Sequence, residues 1–451
     1  VISVLQIALI AFPALVTLLR RPLSRRLTLN CAALVMLFSC ALPLLPQESL
    51  TTLKIGDSEV LGLDGLSQCL LPFTARVYLT ILLFTPRAER LHGSSERLLL
   101  GLSLDLALVS VRTPMAIALV WLLGHIPLFT EVSNWPGGSG RLRLLRVLRF
   151  YLGLGGLLFV AGCWGLDQHA IGPSWAYIAI TLGIVLRKAI IPFHQWLPEL
   201  FERGPLGHVI AFCAPQVGAY ASLRLLAPAA PQELLMALGA AALVTAVYGA
   251  CLACGQRSFR GVYAGLFLGQ TSLVFAGLQC TSEVGLTGAL ALWVSGGLAL
   301  TGLGLTVWAL EARRGRMNLD VYHGGYERSP MLATCFLLFG LTSCGFPGTL
   351  GFISEELLLE GTTHAHPHVG ILAAVAASIN GITVMRTYFR LFCGSRQHHP
   401  VSQSLRPRER MAVLALVAIL LGCGLWPQPF VDNRAEFAKT VIHQRHQLLN
   451  R

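Results

Sequence analysis

Hydrophobic residues fall into long unbroken runs separated by short polar intervals, and the runs have the length of bilayer crossings. The hydrocarbon core of a membrane takes roughly 17 to 25 helical residues. On that measure the sequence holds about fourteen spans, at 1–19, 27–46, 66–86, 97–111, 114–130, 145–164, 172–191, 206–227, 232–254, 260–279, 285–310, 330–349, 369–393 and 409–426. The run at 1–19 lacks a charged leader and a small-residue cleavage site, so it reads as a first spanning helix rather than a signal peptide. The polar intervals at 47–63, 131–144, 311–328 and 394–408 are too short to fold alone. The expectation is an all-α polytopic membrane protein in which residues 1–451 form a single integral membrane domain.

Two of the runs are interrupted. An apolar stretch from Ile171 meets Arg187 and Lys188, breaks at Pro192, continues as an amphipathic piece to Glu202, and re-enters apolar sequence after Pro205. Pro192 and Pro198 cannot continue a helical hydrogen-bond ladder. Freed backbone at membrane depth is tolerated only where protein or a water-filled cavity surrounds it. A second break falls at Pro347 and Gly348. Interrupted segments in the two halves of a chain point to inverted repeats with an ion path between them, although the halves share no convincing direct identity.

Composition agrees with the pattern: 54% of residues are hydrophobic and only 12% charged, against roughly 25% charged in soluble domains. The net charge of +12 does not mark a nucleic-acid surface, because the arginines sit in short clusters between runs rather than on one face. Arg20, Arg21, Arg25, Arg26, Arg87, Arg90, Arg141, Arg143, Arg257, Arg313, Arg314, Arg316, Arg406, Arg408 and Arg410 all fall in alternate loops on one side. The opposite loops carry Glu48, Asp57, Glu59, Asp64, Asp167, Glu233 and Glu283. Positive loops stay inside, so both termini are expected outside, an N-out, C-out arrangement. The 12 cysteines are scattered through apolar segments as small hydrophobes. Cys251 and Cys254 have redox or metal spacing but no second pair to complete a site. There is no Walker A sequence, no dinucleotide fingerprint and no iron–sulfur spacing, so no cofactor, metal or redox and hydrolytic site of the chain's own is expected.

Ionisable groups inside a bilayer are costly and mark pathways. Those in the runs or at their breaks are Asp105, His125, Arg187, Lys188, His194, His208, Arg224, Glu355, Glu356 and Arg386. Moving protons requires groups whose protonation can change near neutral pH, which burial and neighbours allow for lysine, histidine and carboxylates but not for arginine. That leaves Lys188, His194, His208 and Glu355; the only other lysines, Lys54 and Lys439, lie outside the spans. Neighbouring helical residues point about 100° apart, so one of Arg187 and Lys188 is expected to face the interior, and Lys188 is the one able to act as a base. Arg187 and Lys188 also fit the role of interface anchors. Glu355 and Glu356 fit either a path or the cap of a half-helix. His364, His366, His368, His398 and His399 read as solvated loop histidines rather than metal ligands.

Four motifs carry a family resemblance: Pro192-Phe-His-x-Trp-x-Pro-Glu199 with Gly204-Pro205 after it, Phe346-Pro-Gly-Thr349 followed by Phe352-x-x-Glu355, Asp64-Gly-Leu-Ser67, and Trp426-Pro-Gln-Pro429. In this order, along almost the whole chain, they resemble the antiporter-like subunits of respiratory complex I and their Mrp-antiporter relatives. The resemblance implies an even number of spans and two five-helix repeats, here 97–227 and 232–393. It also implies a carboxylate after the tryptophan of the fifth span, where this chain has Leu122 after Trp121. Counting back from His194, the family's seventh-span lysine falls on Arg187, with Lys188 one place later. Its eighth-span lysine becomes Gln216 before Tyr220, its tenth-span histidine becomes Gln270, its eleventh-span histidine falls near Gly296, and its twelfth-span glutamate is kept as Glu355. Asp105 does not supply the missing carboxylate in either register.

Two readings stay open on these residues: a proton carrier with a rearranged set such as Lys188, His208 and Glu355, or a subunit that keeps the fold and conducts poorly. Phe352-x-x-Glu355 and Tyr322-x-Gly324-Gly325 resemble the subunit 4 or M type; the long lateral helix of the subunit 5 type is not expected in the roughly 25 residues after Trp426. The resemblance implies an obligate hetero-oligomer in a bacterial cytoplasmic or mitochondrial inner membrane, with other antiporter-like subunits or a soluble partner protein, and with electrons or nucleotides handled by partners. It extends to the membrane partner of inorganic-carbon accumulation systems and to a non-conducting scaffold.

Overall fold

A computed structural model describes residues 2–19, 23–42, 53–55, 58–86, 89, 93–136, 138–168, 173–280, 282–365, 367–394 and 405–449. Described elements run from α1 (Ile2–Leu19) and α2 (Arg25–Ala41) through strands β1 (Leu53–Ile55) and β2 (Ser58–Leu61) to α3 (Gly65–Phe84) and α4 (Ser94–Ser110). Next come α5 (Pro114–Leu123), α6 (Ile126–Asn134), α7 (Gly138–Asp167), α8 (Ser174–Lys188), α9 (Trp196–Arg203), α10 (Leu206–Cys213), α11 (Val217–Ala221) and a π-helical turn, Ser222–Leu226. The chain continues with α12 (Gln232–Gly255), α13 (Phe259–Gly277), α14 (Glu283–Arg314), α15 (Pro330–Thr342), α16 (Leu350–Ala365), α17 (Pro367–Phe392), α18 (Pro407–Leu425) and α19 (Gln428–Leu449). Among the described residues seven helices are long and apolar enough to cross a membrane, or eight if the bent pair α18 and α19 is one span.

The sequence explains where these helices start and stop. Ser24, Asp64, Ser258 and Ser282 cap helix N-termini by accepting from backbone N–H groups three residues on. Pro114 and Pro330 open α5 and α15, where a missing N–H is harmless. The path breaks at Ala189 (φ 57°), so that Lys188 is the last residue of α8. It breaks again after α10, where Pro215 lacks a donor and Gln216 adopts φ 52°. Between α15 and α16, Gly345 and Gly348 take φ of 68° and 84°, a conformation that glycine adopts without penalty.

Two compact units result. One comprises Val1–Lys188, Arg203–Leu235 and His443–Arg451, the other Ala189–Glu202 and Met236–Ile442. In the first, α7 and α8 pack most extensively; a Cβ on Gly183 would lie 2.8 Å from the Gly155 carbonyl oxygen, the close approach that small residues permit between membrane helices. Arg445, buried on α19, donates to the carbonyls of Ala227 (2.6 Å) and Ala230 (3.1 Å) and to Gln232 Oε1 (2.8 Å). In the second unit α14 is buried along its apolar length and packs against α16.

Three details differ from the expectation. β1 and β2 form a two-stranded antiparallel sheet, tied to the end of α4 by Gly62 N–H to Ser110 O (3.1 Å) and Arg112 N–H to Val60 O (3.0 Å), so the chain is not purely α. The span expected over 330–349 is helical only to Thr342, and after the break at Gly345 and Gly348 the helix α16 runs on past Glu355 and Glu356 to Ala365. The residues after Trp426 form the 22-residue helix α19.

Candidate functional site

In the first unit the broken helices deliver polar groups to a hydrophobic interior. Lys188 is buried, and its Nζ donates to Gln216 Oε1 at 2.8 Å. The acceptor stands at the kink between α10 and α11, where the backbone turn aims it at the end of α8. Arg187 also turns inward: Nη2 donates to the Phe212 carbonyl at 3.2 Å, and the guanidinium lies 3.5 Å over the Phe212 ring. The expectation that only one of the pair faces the interior is therefore corrected. The helix ends at Lys188, and both side chains are long enough to reach α10 and α11 from its last turn.

Asp105 on α4 accepts from Tyr78 Oη of α3 at 2.7 Å, within electrostatic reach of Arg187. This pair shares the lining of a cavity of about 20 Å³ with His208, Arg97, Phe212, Pro127 and Gly124. That volume holds one water, for which about 10–15 Å³ suffices. His208, buried on α10, lies 3.5 Å from Glu131. Leu122 is 41% exposed on the outer face of α5, and His125, at the break before α6, is buried with Nδ1 3.3 Å from the Leu122 carbonyl.

At the far end of α10, α11 and the π-turn, Arg224 Nη2 donates to Asp64 Oδ1 at 2.8 Å and its Nε to Tyr220 Oη at 3.0 Å. Arg112 joins Glu59 at 3.0 Å. Burial works to raise the Asp64 carboxyl, but the charge and hydrogen bonds of Arg224, the Ser67 N–H and the charge of Arg112 hold it down at about 2.

In the second unit Glu355 is buried on α16 and accepts from Gln270 Nε2 of α13 at 2.8 Å. It sits beyond the first turn of α16, which carries no acidic residue, so it does not cap the half-helix. Glu356 is exposed, and Arg386, also exposed, donates to the Cys254 carbonyl. His194 is half-buried, 3.0 Å from Tyr248 Oη. Among the described residues no three His, Cys, Asp or Glu side chains gather as a metal site. His366, His398, His399 and Asp57 lie outside the described residues, as does the side chain of His364.

The geometry thus brings together Arg187, Lys188, Asp105 and His208 in one unit, while Glu355 and His194 belong to the other. Sequence reasoning missed Glu131, Arg97 and Tyr78. Glu131 lies one residue past the apolar run at 114–130 and was counted as loop; the available signal was the helical spacing of Ile126 to Val132 beyond Pro127.

The sequence profile of the family described as NADH:quinone oxidoreductase/Mrp antiporter, TM matches residues 146–380, just over half of the chain. The chain belongs to this family. This antiporter-family chain is 24% identical over 424 residues to F(420)H(2) dehydrogenase subunit M of Methanosarcina mazei, covering 86% of the chain and 85% of that protein. It is 26% identical over 399 residues to NADH-quinone oxidoreductase subunit M of Mycobacterium tuberculosis, with 77% and 70% covered. Its fold is that of a membrane chain of respiratory complex I from Thermus thermophilus, solved with bound NADH: TM-score 0.88, 22% identity, 98% of this chain and 99% of that one. It is an integral membrane protein and an antiporter-like subunit.

Proposed function

We propose that the antiporter-like subunit translocates protons within a larger, hetero-oligomeric complex of the NADH-quinone oxidoreductase type, with the electron chemistry carried by partner subunits. The supporting observation is the Lys188 amine, buried among hydrophobic helices and held by Gln216 at a break in the helix. An ionisable group in that setting is costly unless it serves a path. Lys188 is the working base, and Asp105, reaching in from α4, replaces the carboxylate that Leu122 cannot provide. Glu355 with Gln270 serves the second half. The apolar runs support about fourteen spans, the loop charges support both termini outside, and the paired breaks together with the family resemblance support the repeats 97–227 and 232–393.

Substitution of Lys188 tests this. In vesicles carrying the assembled complex, Lys188→Gln and Lys188→Arg should both lower NADH-driven proton translocation at least about tenfold, because an arginine keeps the charge but does not release the proton. Glu355→Gln should lower it as well, with assembly retained. Translocation by Lys188→Arg at the wild-type rate removes the base role. The neutral Gln216 and Gln270 at family charge positions favour a second reading, a non-conducting scaffold, which predicts normal translocation in all three variants. Co-purified subunits name the assembly: redox subunits support the complex I type, a large soluble zinc protein the inorganic-carbon type.

A further inference from the structure

One buried ionic cluster of the first unit stands apart from every family motif. Arg97 Nε of α4 donates to Glu131 Oε2 of α6, and His208 Nε2 of α10 lies 3.5 Å from the same oxygen. The side chains of Glu131 and His208 are each only 4% exposed. At 3.5 Å, with Nε2 lacking a hydrogen-bond partner, the imidazole faces the carboxylate as a charge partner rather than as a tight hydrogen-bond donor. The backbone of Ser94 holds the ring. Three helices therefore converge on one carboxylate in a setting where each such group must be solvated by its neighbours.

Two facts give the cluster a direction. His208 and Arg97 line the same water-sized cavity as Asp105 and Tyr78, so the histidine and the carboxylate border one space with room for a water. The cluster also lies at the start of α4, the end of α6 and the start of α10, the ends that the loop charges assign to the arginine-rich side. In the proposed topology that is the cytoplasmic side.

We infer that Glu131 and His208 form a carboxylate–histidine relay that loads protons into the first unit, with Arg97 holding the carboxylate in place. His208 takes a proton on its imidazole, and the resulting cation is stabilised by the Glu131 carboxylate. The proton then leaves for the cavity water, which passes one of its own to the Asp105 carboxylate, so that His208 returns to neutral and Asp105 becomes the acid. Glu131 is a positioning residue: it faces the imidazole while Arg97 holds its carboxylate in place. The groups facing His208 from the helices packed on it are Glu131 of α6, Arg97 of α4 and, across the cavity, Asp105 of α4 and Tyr78 of α3. This rests on the proton-carrying reading above.

The test compares proton translocation per NADH oxidised in vesicles with the assembled complex. Glu131→Gln and His208→Gln should each lower it about tenfold, Glu131→Asp should restore most of it, and Glu131→Gln/His208→Gln should be no worse than either alone, since the two act as one unit. Glu131→Gln takes the carboxylate from Arg97, so Arg97→Gln/Glu131→Gln, which removes this ion pair whole, keeps assembly and should show the same loss. If that double variant translocates at the wild-type rate while Glu355→Gln does not, the relay is wrong and the proton-carrying reading stands. If Glu355→Gln also translocates normally, both fall. An Glu131→Asp variant as impaired as Glu131→Gln also overturns the relay, leaving a packing role.

Discussion

A single added methyl group should separate Lys188 from its partner without touching any charge. Gly218 on α11 faces the lysine stem: a Cβ there would lie 2.6 Å from Lys188 Cγ and 3.0 Å from Cδ, with Ile184 Cγ2 at 3.6 Å closing a third side. Carbon atoms rest at about 3.5–4.0 Å, so in Gly218→Ala the stem must retreat by roughly 1 Å. The Nζ to Gln216 Oε1 distance of 2.8 Å would then exceed about 3.5 Å, beyond hydrogen-bonding range. A hydrogen bond to a charged group contributes about 2 kcal/mol, which corresponds to about a 30-fold slower transfer where that contribution is made in the transition state and not in the ground state. Alanine is the better helix former by up to about 1 kcal/mol, so assembly should not suffer. Gly153→Ala on α7, where nothing lies within 4 Å of the added Cβ, is the control. NADH-driven quenching of a pH-sensitive dye in vesicles reads the rate. A Gly218→Ala complex that assembles and pumps like the control would refute the placement of the Lys188–Gln216 contact on the proton route.

Two further outcomes are expected. Cysteines introduced at Ser139, next to Arg141, and at Glu59, in β2, should react with an impermeant thiol reagent from opposite faces, Ser139→Cys from the cytoplasm; labelling of Ser139→Cys from the outer face would invert the topology. The Asp64 carboxyl lies at about 2 against an ordinary 3.8, so its ionised form stabilises the fold by about 2 kcal/mol. That contribution is complete above 3.8 and is lost as the pH falls through about 2. Asp64→Asn should therefore lower the Tm of the assembled complex at neutral pH, and the gap should narrow as the pH drops below 3.8; a gap constant with pH would show that packing, not charge, sets the loss.

The bundle was legible because run length and bilayer thickness constrain one another, and because Pro192 and the Pro347-Gly348 pair interrupt apolar runs. The residues that moved are those whose surroundings come from other helices. Leu122 follows Trp121 on α5, yet it faces outward, and Asp105, the buried acid beside Tyr78, comes from the preceding helix. Sequence spacing holds no record of these surroundings, since α3 and α8 bring Tyr78 and Arg187 to Asp105 only on folding. Glu131 escaped notice because hydropathy ends a span where a charge begins, and the charge is here neutralised by Arg97 from another helix. The β1 and β2 sheet was missed because seven strand residues within a polar interval are too few to register against long apolar neighbours.

The Arg445 contact ties the timetable of synthesis to the architecture. The carbonyl of Ala227 waits 218 positions for its guanidinium, so while the ribosome is still threading α12 to α18, the first unit is a bundle with an open seam beside its π-turn. The seam closes only when α19 docks. Completion of the earlier unit thus reports that the later one has been made, and a chain stalled anywhere between them remains recognisable as unfinished.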